Sequence, residues 1–398
     1  MGVGNVKIGI YGGSFNPPHL GHLRGAVYAK EKLGLDKLLL IPAGLPPHKE
    51  LAPGSPTAQQ RLEMVRLAAE GIPGVEVSDM ELRRTGKSYT YQTVEALHEI
   101  YPQDQLILIM GTDMYLCFED WTYPERICAH CDLAVLYRGE KQERQRLIDH
   151  REKIDYPCQF LENPITDISS TQIRRMLRLG CAGEFLNEKV ADYIQRNGLY
   201  RCAEDCRNLS EAELEKTVVS LLAPSRVDHV LGCRDTAVAL ARHYGADPTD
   251  AARAALLHDI TKALDGPLQL TLARAHGIIL DEFSEKHPKT LHALTGSWIA
   301  QHIFGENKAV VEAIRWHTTG KANMNLLEKI IYVADYMEPN RNFPGVDSLR
   351  ELAWQDITQA TRMGLEFTLA HLKNQGSKVS PESRQALQYL IDTGHSPA

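Results

Sequence analysis

The sequence predicts an α/β chain in two parts, a doubly wound domain built on a parallel sheet followed by an all-α domain. Three observations predict it. Short apolar runs alternate with helix-length segments up to about residue 200, and beyond that point runs of strand length stop. The length of 398 residues also exceeds what a single core usually organises.

The strand candidates in order are "KIGIY", "KLLLIP", "VEVSDM", "QLILIM", "DLAVLY" and "CQFLE". Between them lie segments with helical spacing at 20–33, 57–70 and 90–100, which implies β-α-β units with right-handed crossovers. After the switch, Ser210 followed by Glu213 carries the signature of a capping box. Helices are expected over 211–221, 225–244, 248–262, 290–304, 306–316, 325–337, 348–373 and 382–392. Asp247-Pro248 supplies a cap followed by proline at the first helical position. The change in pattern divides the chain into domains at 1–203 and 208–398.

Bulk properties narrow the function classes. The net charge is −7 and no dense Lys/Arg block stands out, which argues against nucleic acid as a partner. No apolar run reaches the ~18 residues of a membrane span and no signal-peptide pattern opens the chain, so the expectation is a cytoplasmic protein off the membrane. The eight cysteines are scattered, as suits reduced thiols. Cys128 and Cys131 have C-x-x-C spacing without a matching second pair, and helix packing is the simpler reading. Nothing decides the oligomeric state, and a homo-oligomer stays open.

The stretch "KIGIYGGSFNPPHLGH" ends a strand at glycines and opens a helix at histidines. Gly12 and Gly13 would let the backbone approach a phosphate, Ser14 offers a hydroxyl, and Phe15 follows. His19 and His22, three apart on the first helical turn, would face one side where the helix dipole favours anions. The pattern is neither that of a dinucleotide-binding Rossmann turn nor that of a P-loop. Further on, "DISSTQIRRML" places Ser170 and Thr171 at a helix start with Arg174 one turn in, an arrangement able to hold the far end of a triphosphate.

"GGSFNPPHLGH" with "ISSTQIR" resembles the nucleotidyltransferases that move AMP from ATP onto a phosphate and release pyrophosphate. "SYTYQTVEAL" and "LIMGTDMYLCFEDW" narrow the resemblance to the bacterial nicotinate-mononucleotide adenylyltransferases, over residues 6 to about 200. The resemblance implies ATP with Mg²⁺, and Thr90, Asp113 and Trp121 near nicotinate mononucleotide. Lys49 in "PAGLPPHK" is a candidate phosphate contact, or a solvated loop lysine. Tyr123 and Arg126 have no assigned role. His19, His22 and Arg174 are expected to stabilise charge on the phosphoryl oxygens, with no covalent intermediate. The rival acceptor is pantetheine phosphate.

The helical half carries most of the 16 histidines. His229, His258-Asp259, His292, His317 and Asp335 lie on five segments, each beside apolar residues where a single histidine would be ordinary core. Together they suit a shared cation of the iron or manganese type. The ordered set resembles the HD-domain metal-dependent phosphohydrolases. "RVDHVLG", "LLHDITK", "WHTTG" and "ADYMEPNR" resemble the branch that splits diadenosine tetraphosphate symmetrically into two ADP. That resemblance implies His229, His258, Asp259 and Asp335 as metal ligands, Lys262 as a catalytic group and Arg341 as a phosphate contact. His292 and His317 would complete a second metal position or bind phosphate, with His292 preferred over His287 because Gly296 follows it. A general nucleotide phosphatase and a nucleotide-sensing module are the alternatives.

Overall fold

Six strands form one parallel sheet in a computed structural model that describes residues 6–47, 50–52, 54–137, 141–154, 156–163, 169–180, 182–200 and 206–393. They are β1 (Lys7–Gly13), β2 (Lys37–Pro42), β3 (Val75–Val77), β4 (Gln105–Gly111), β5 (Asp132–Tyr137) and β6 (Cys158–Glu162). Their order is β3-β2-β1-β4-β5-β6, and every neighbouring pair runs parallel. All six runs seen in the sequence are therefore strands, with "VEVSDM" trimmed to its first three residues. The central strands are buried nearly end to end, as expected where both faces carry helices.

The helices around this sheet are α1 (Leu20–Leu33), α2 (Ala58–Ala69), α3 (Thr90–Ile100), α4 (Thr112–Tyr115), α5 (Pro124–Cys128), α6 (Lys141–Arg151), α7 (Ser170–Arg178) and α8 (Glu188–Arg196). The chain order reverses between β1 and β4, so the carboxyl ends of those two strands open a crevice of the kind in which doubly wound sheets bind ligands. α4 follows the end of β4 directly in the chain, and a short loop carries the end of β1 into α1.

The second unit is helical throughout its described residues: α9 (Glu211–Leu221), α10 (Pro224–Tyr244), α11 (Pro248–Leu257), α12 (Gly266–Ala275), α13 (Glu282–Lys286), α14 (Leu291–His302), α15 (Lys308–Trp316), α16 (Leu326–Met337), α17 (Val346–Ala353), α18 (Ile357–Asn374) and α19 (Pro381–Thr393). The expected caps are present. Ser210 and Glu213 exchange both bonds of the capping box, and Asp247 accepts from the N–H groups of Thr249 and Asp250.

Two expected helices differ. The run 248–262 ends as α11 at Leu257, leaving His258 and Asp259 on the turn that follows. The run 348–373 divides into α17 and α18, because Asp356 accepts from Thr358 and Gln359 N–H and starts a new helix. The described residues form two compact units, the sheet unit up to Tyr200 and the helical unit from Cys206.

Candidate functional sites

The first site begins where β1 hands over to α1. His19 precedes the helix and His22 sits in its first turn, and their rings stack with centroids 3.7 Å apart. The backbone N–H of His19 reaches His22 Nδ1 at 3.3 Å, which leaves the His22 proton on Nε2. Burial pushes the His19 pKa down to about 2, helped by His22, and lowers His22 to about 4. Both imidazoles are therefore neutral near pH 7. Each is a hydrogen-bond donor through one nitrogen rather than a fixed positive charge. Neither ring nitrogen of His19, itself 3% exposed, has a hydrogen-bond partner among the described residues.

A cavity of about 370 Å³ opens on these rings. Its lining brings together Ser14, His19 and His22 from β1–α1, Asp113 from α4, and Ser170 and Thr171 from α7. Six residues expected at a phosphate or nucleotide site thus share one cavity, although they come from three separate stretches of chain. Glu143 also lines it, accepting from Thr112 Oγ1 at 2.6 Å, and the sequence reading had passed it over.

Several expected residues take other positions. The Phe15 side chain is buried, edge-on to His22 with centroids 5.3 Å apart, so it buttresses the imidazole instead of facing the cavity. A Cβ at Gly13 would come within 3.3 Å of the Phe15 ring, so the space that Gly13 leaves is filled by that ring. A Cβ at Gly12 would meet nothing closer than 4.0 Å. Arg174 donates to the Asn16 carbonyl at 2.8 Å and to Thr171 Oγ1 at 3.1 Å, so its guanidinium braces the β1–α1 loop. Ser170 Oγ donates to the Pro17 carbonyl at 3.3 Å.

Thr90 is the first residue of α3, and the half-buried Trp121 packs its ring against Phe118 at 5.2 Å; neither lines this cavity. Arg126 is held by both oxygens of Glu95 and lies over the rings of Tyr91 and Tyr123. Lys49 lies outside the described residues. Cys128 and Cys131 are free thiols; burial raises both, Cys128 to about 11, which suits packing better than reactivity.

The second site gathers side chains from five elements of the helical unit. His229 comes from α10, His258 and Asp259 from the turn after α11, His292 from α14, His317 from the end of α15, and Asp335 from α16. His229 Nε2 lies 3.2 Å from Asp335 Oδ1, and His258 Nε2 lies 3.6 Å from Asp259 Oδ2. His317 Nε2 and His292 Nε2 lie 3.8 and 3.5 Å from Asp259 Oδ1. Ligand atoms of His229, His258 and Asp335, and those of His258, Asp259 and His317, converge within 4.8 Å.

The remaining ring nitrogens explain the orientation. His258 Nδ1 faces the Ala255 carbonyl at 2.6 Å and His317 Nδ1 faces the Ile314 carbonyl at 2.7 Å, so each Nε2 lone pair is turned inward. His229 Nδ1 lies 3.1 Å from Glu338, a carboxylate 1% exposed that sequence reasoning had missed. A Cβ on Gly296 would lie 3.4 Å from the His258 carbonyl, an ordinary contact, so α14 packs closely on this turn without requiring glycine there. His287 instead packs against Phe283.

The donor set fits a divalent transition cation. His258 Nε2 is buried and makes no hydrogen bond among the described residues, with oxygens of Asp259 and Asp335 3.6 and 4.0 Å away, and the buried His229 Nε2 faces Asp335 Oδ1. Burial lowers His258 to about 4, leaving it neutral as a ligand must be. Burial alone would raise Asp259, but His258, His317, Lys262 and His292 hold it well below the usual carboxylate range.

Lys262 Nζ lies 2.9 Å from His292 Nε2, and Thr318 Oγ1 lies 3.1 Å from both His292 and His317. Arg341 is bonded to Asp335 through its side chain and backbone oxygens. Arg226 pairs with Asp259 at 2.6 Å, a cation that the motif reading had not singled out.

The fold and the two clusters define the class: a cytidylyltransferase-like domain, matched over residues 10–176, joined to an HD domain, matched over 226–340. The probable nicotinate-nucleotide adenylyltransferase of Desulfatibacillum aliphaticivorans is 38% identical over 221 residues, covering 49% of this chain and 100% of its own. That of Listeria monocytogenes serotype 4a (strain HCC23) is 38% identical over 194 residues, covering 49% and 97%. The chain belongs to the nicotinate-nucleotide adenylyltransferase family. A crystal structure of a predicted HD superfamily hydrolase involved in NAD metabolism from Clostridium acetobutylicum is 36% identical, covering 46% of this chain and 98% of its own, with a TM-score of 0.45.

Proposed function

We propose that the first domain transfers AMP from ATP, bound with Mg²⁺, to nicotinate mononucleotide, giving deamido-NAD and pyrophosphate. The observation that carries this reading is the single cavity shared by His19, His22, Asp113, Ser170 and Thr171. A phosphate oxygen of the mononucleotide attacks the α-phosphorus of ATP in line, and the bond to pyrophosphate breaks. His22 Nε2–H donates to a phosphoryl oxygen as charge builds there, and His19 does the same from the stacked ring. Arg174 acts through the loop that it braces, while Thr90 and Trp121 belong to the pyridine side. Steady-state transfer assays with nicotinate mononucleotide, nicotinamide mononucleotide and phosphopantetheine test the acceptor. Preference for either of the last two would overturn the assignment.

The HD domain is a phosphohydrolase in this reading, and diadenosine tetraphosphate is its substrate, split symmetrically to two ADP. His229, His258, Asp259 and Asp335 would hold the cation, with His317 beside them. A bound cation of this kind supplies a water acidic enough to ionise near neutral pH and polarises a phosphoryl oxygen. Arg226, Lys262 and Arg341 surround the carboxylates of Asp259 and Asp335, and three cations at one site support a polyanionic substrate. Lys262, whose pKa burial lowers, is placed to donate to a phosphoryl oxygen. The test is product analysis with Mn²⁺ or Fe²⁺. Two ADP support the reading, ATP plus AMP overturns the symmetry, and no cleavage overturns the substrate.

A further inference from the structure

Arg61 on α2 is 0% exposed, and no carboxylate among the described residues pairs with it. One terminal nitrogen donates to the Ser14 carbonyl at 2.7 Å and the other to the Gly44 carbonyl at 2.9 Å. Its Nε is buried with no hydrogen-bond partner among the described residues. Burial lowers its pKa, and Tyr200 is the group that works against that shift. A buried guanidinium without a counter-charge is costly, and an apolar side chain of similar volume would fill the space at less cost. Packing alone does not account for an arginine here.

The two carbonyls it joins belong to different loops, one after β1 and one after β2. Ser14 lines the cavity beside His19 and His22. Gly44 leaves β2, and the N–H groups of Gly44 and Leu45 donate to Ser88 Oγ at 3.0 and 3.3 Å. Ser88 stands two residues before Thr90, where α3 opens. A hydrogen-bonded path therefore runs from Ser14 through Arg61 and Gly44 to Ser88. It links the loop beside the imidazoles to the segment on the pyridine side. In a planar peptide the carbonyl and the next N–H point in opposite directions, so the bond to Ser14 also fixes the direction of the Phe15 N–H.

We propose that Arg61 is a positioning residue for adenylyl transfer, holding the two loops in register so that the attacking phosphate and the α-phosphorus meet in line. The assignment rests on the adenylyltransferase reading. Loss of register of about 1 Å is enough to cost on the order of 100-fold in rate while each substrate still binds. A lysine at this position reaches one carbonyl, and a methionine reaches neither.

The test is steady-state transfer by the full chain for wild type, Arg61→Lys and Arg61→Met, with thermal melts alongside. The expected result is a fall in kcat of at least about 30-fold in Arg61→Met and a smaller fall in Arg61→Lys, with KM for ATP and for the acceptor within about threefold. A folded Arg61→Met with unchanged kcat, or a loss confined to KM, overturns the proposal. If Arg61→Met does not fold, Arg61→Lys decides by the same criterion. Wild type inactive with every acceptor would sink the adenylyltransferase reading by itself. Crystal structures of the variants would then decide the positioning role: displaced Ser14 and Gly44 carbonyls support it, and carbonyls in place overturn it.

Discussion

His22 owes its proposed role to the hydrogen bond it accepts. With Nδ1 taken by the backbone N–H of His19, the proton stands on Nε2. His22→Ala should lower kcat for transfer by about 100-fold or more while the far-UV circular dichroism is unchanged. Full activity in that variant would remove the assignment. Because burial depresses both imidazoles, protonation begins only well below pH 6.5, and the native state binds fewer protons than the unfolded chain from about pH 6.5 down to about 4 for His22 and about 2 for His19. Stability contributed by these two groups is thus present above pH 6.5 and declines on acidification through that window. Imidazole NMR signals of His19 and His22 should stay at neutral positions from pH 8 to pH 5.5; a midpoint near 6.5 would contradict their burial.

The pairing of His19 and His22 was legible because a residue that caps a helix and the residue three further on, in the first turn, meet at the helix start, although His19 itself is extended and not helical. Arg61 was not. Its partners are main-chain carbonyls 47 and 17 residues away, and a carbonyl leaves no mark on residue type. Arg174 was legible as a polar group near the site, but its bond to a carbonyl 158 residues earlier was not.

Among the elements, strands were easier to read than helix ends. A parallel strand buried on both faces must be apolar along its length, so β1, β2, β4 and β5 stand out in the sequence. Helix ends depend on caps that compete with continued helix. Asp356 lies inside an apolar periodicity that runs across it, and only its bonds to Thr358 and Gln359 reveal that α18 starts there. Asp356→Ala should destabilise the helical unit by about 1 kcal/mol, read as a lower denaturation midpoint. A midpoint unchanged from wild type would mean that the cap is not what divides α17 from α18. The helix α12 lies where no helix was expected, and Asp265 caps it by accepting from Leu268 N–H.

On the scale of the whole molecule, the two clusters differ in their chemistry. One relies on neutral imidazoles and hydroxyl groups in the crevice of a parallel sheet, the other on buried imidazole and carboxylate groups suited to a cation. The ordered His and Asp positions made the second cluster legible. Glu338, Arg226 and Thr318, which orient or neutralise it, were recognisable only once α10, α16 and the end of α15 had been brought together. Removing the cation with a chelator should abolish hydrolysis of diadenosine tetraphosphate, and adding Mn²⁺ should restore it. Cleavage that persists in excess chelator would refute the site.

The most direct measurement compares His22→Ala and Asp259→Ala in the full chain, each assayed for deamido-NAD formation and for ADP release, with bound metal counted by elemental analysis. The account predicts that His22→Ala loses transfer but keeps hydrolysis and metal, and that Asp259→Ala loses hydrolysis and metal but keeps transfer. A folded Asp259→Ala that retains its metal and releases ADP at the wild-type rate would contradict it, as would a folded His22→Ala that loses both activities.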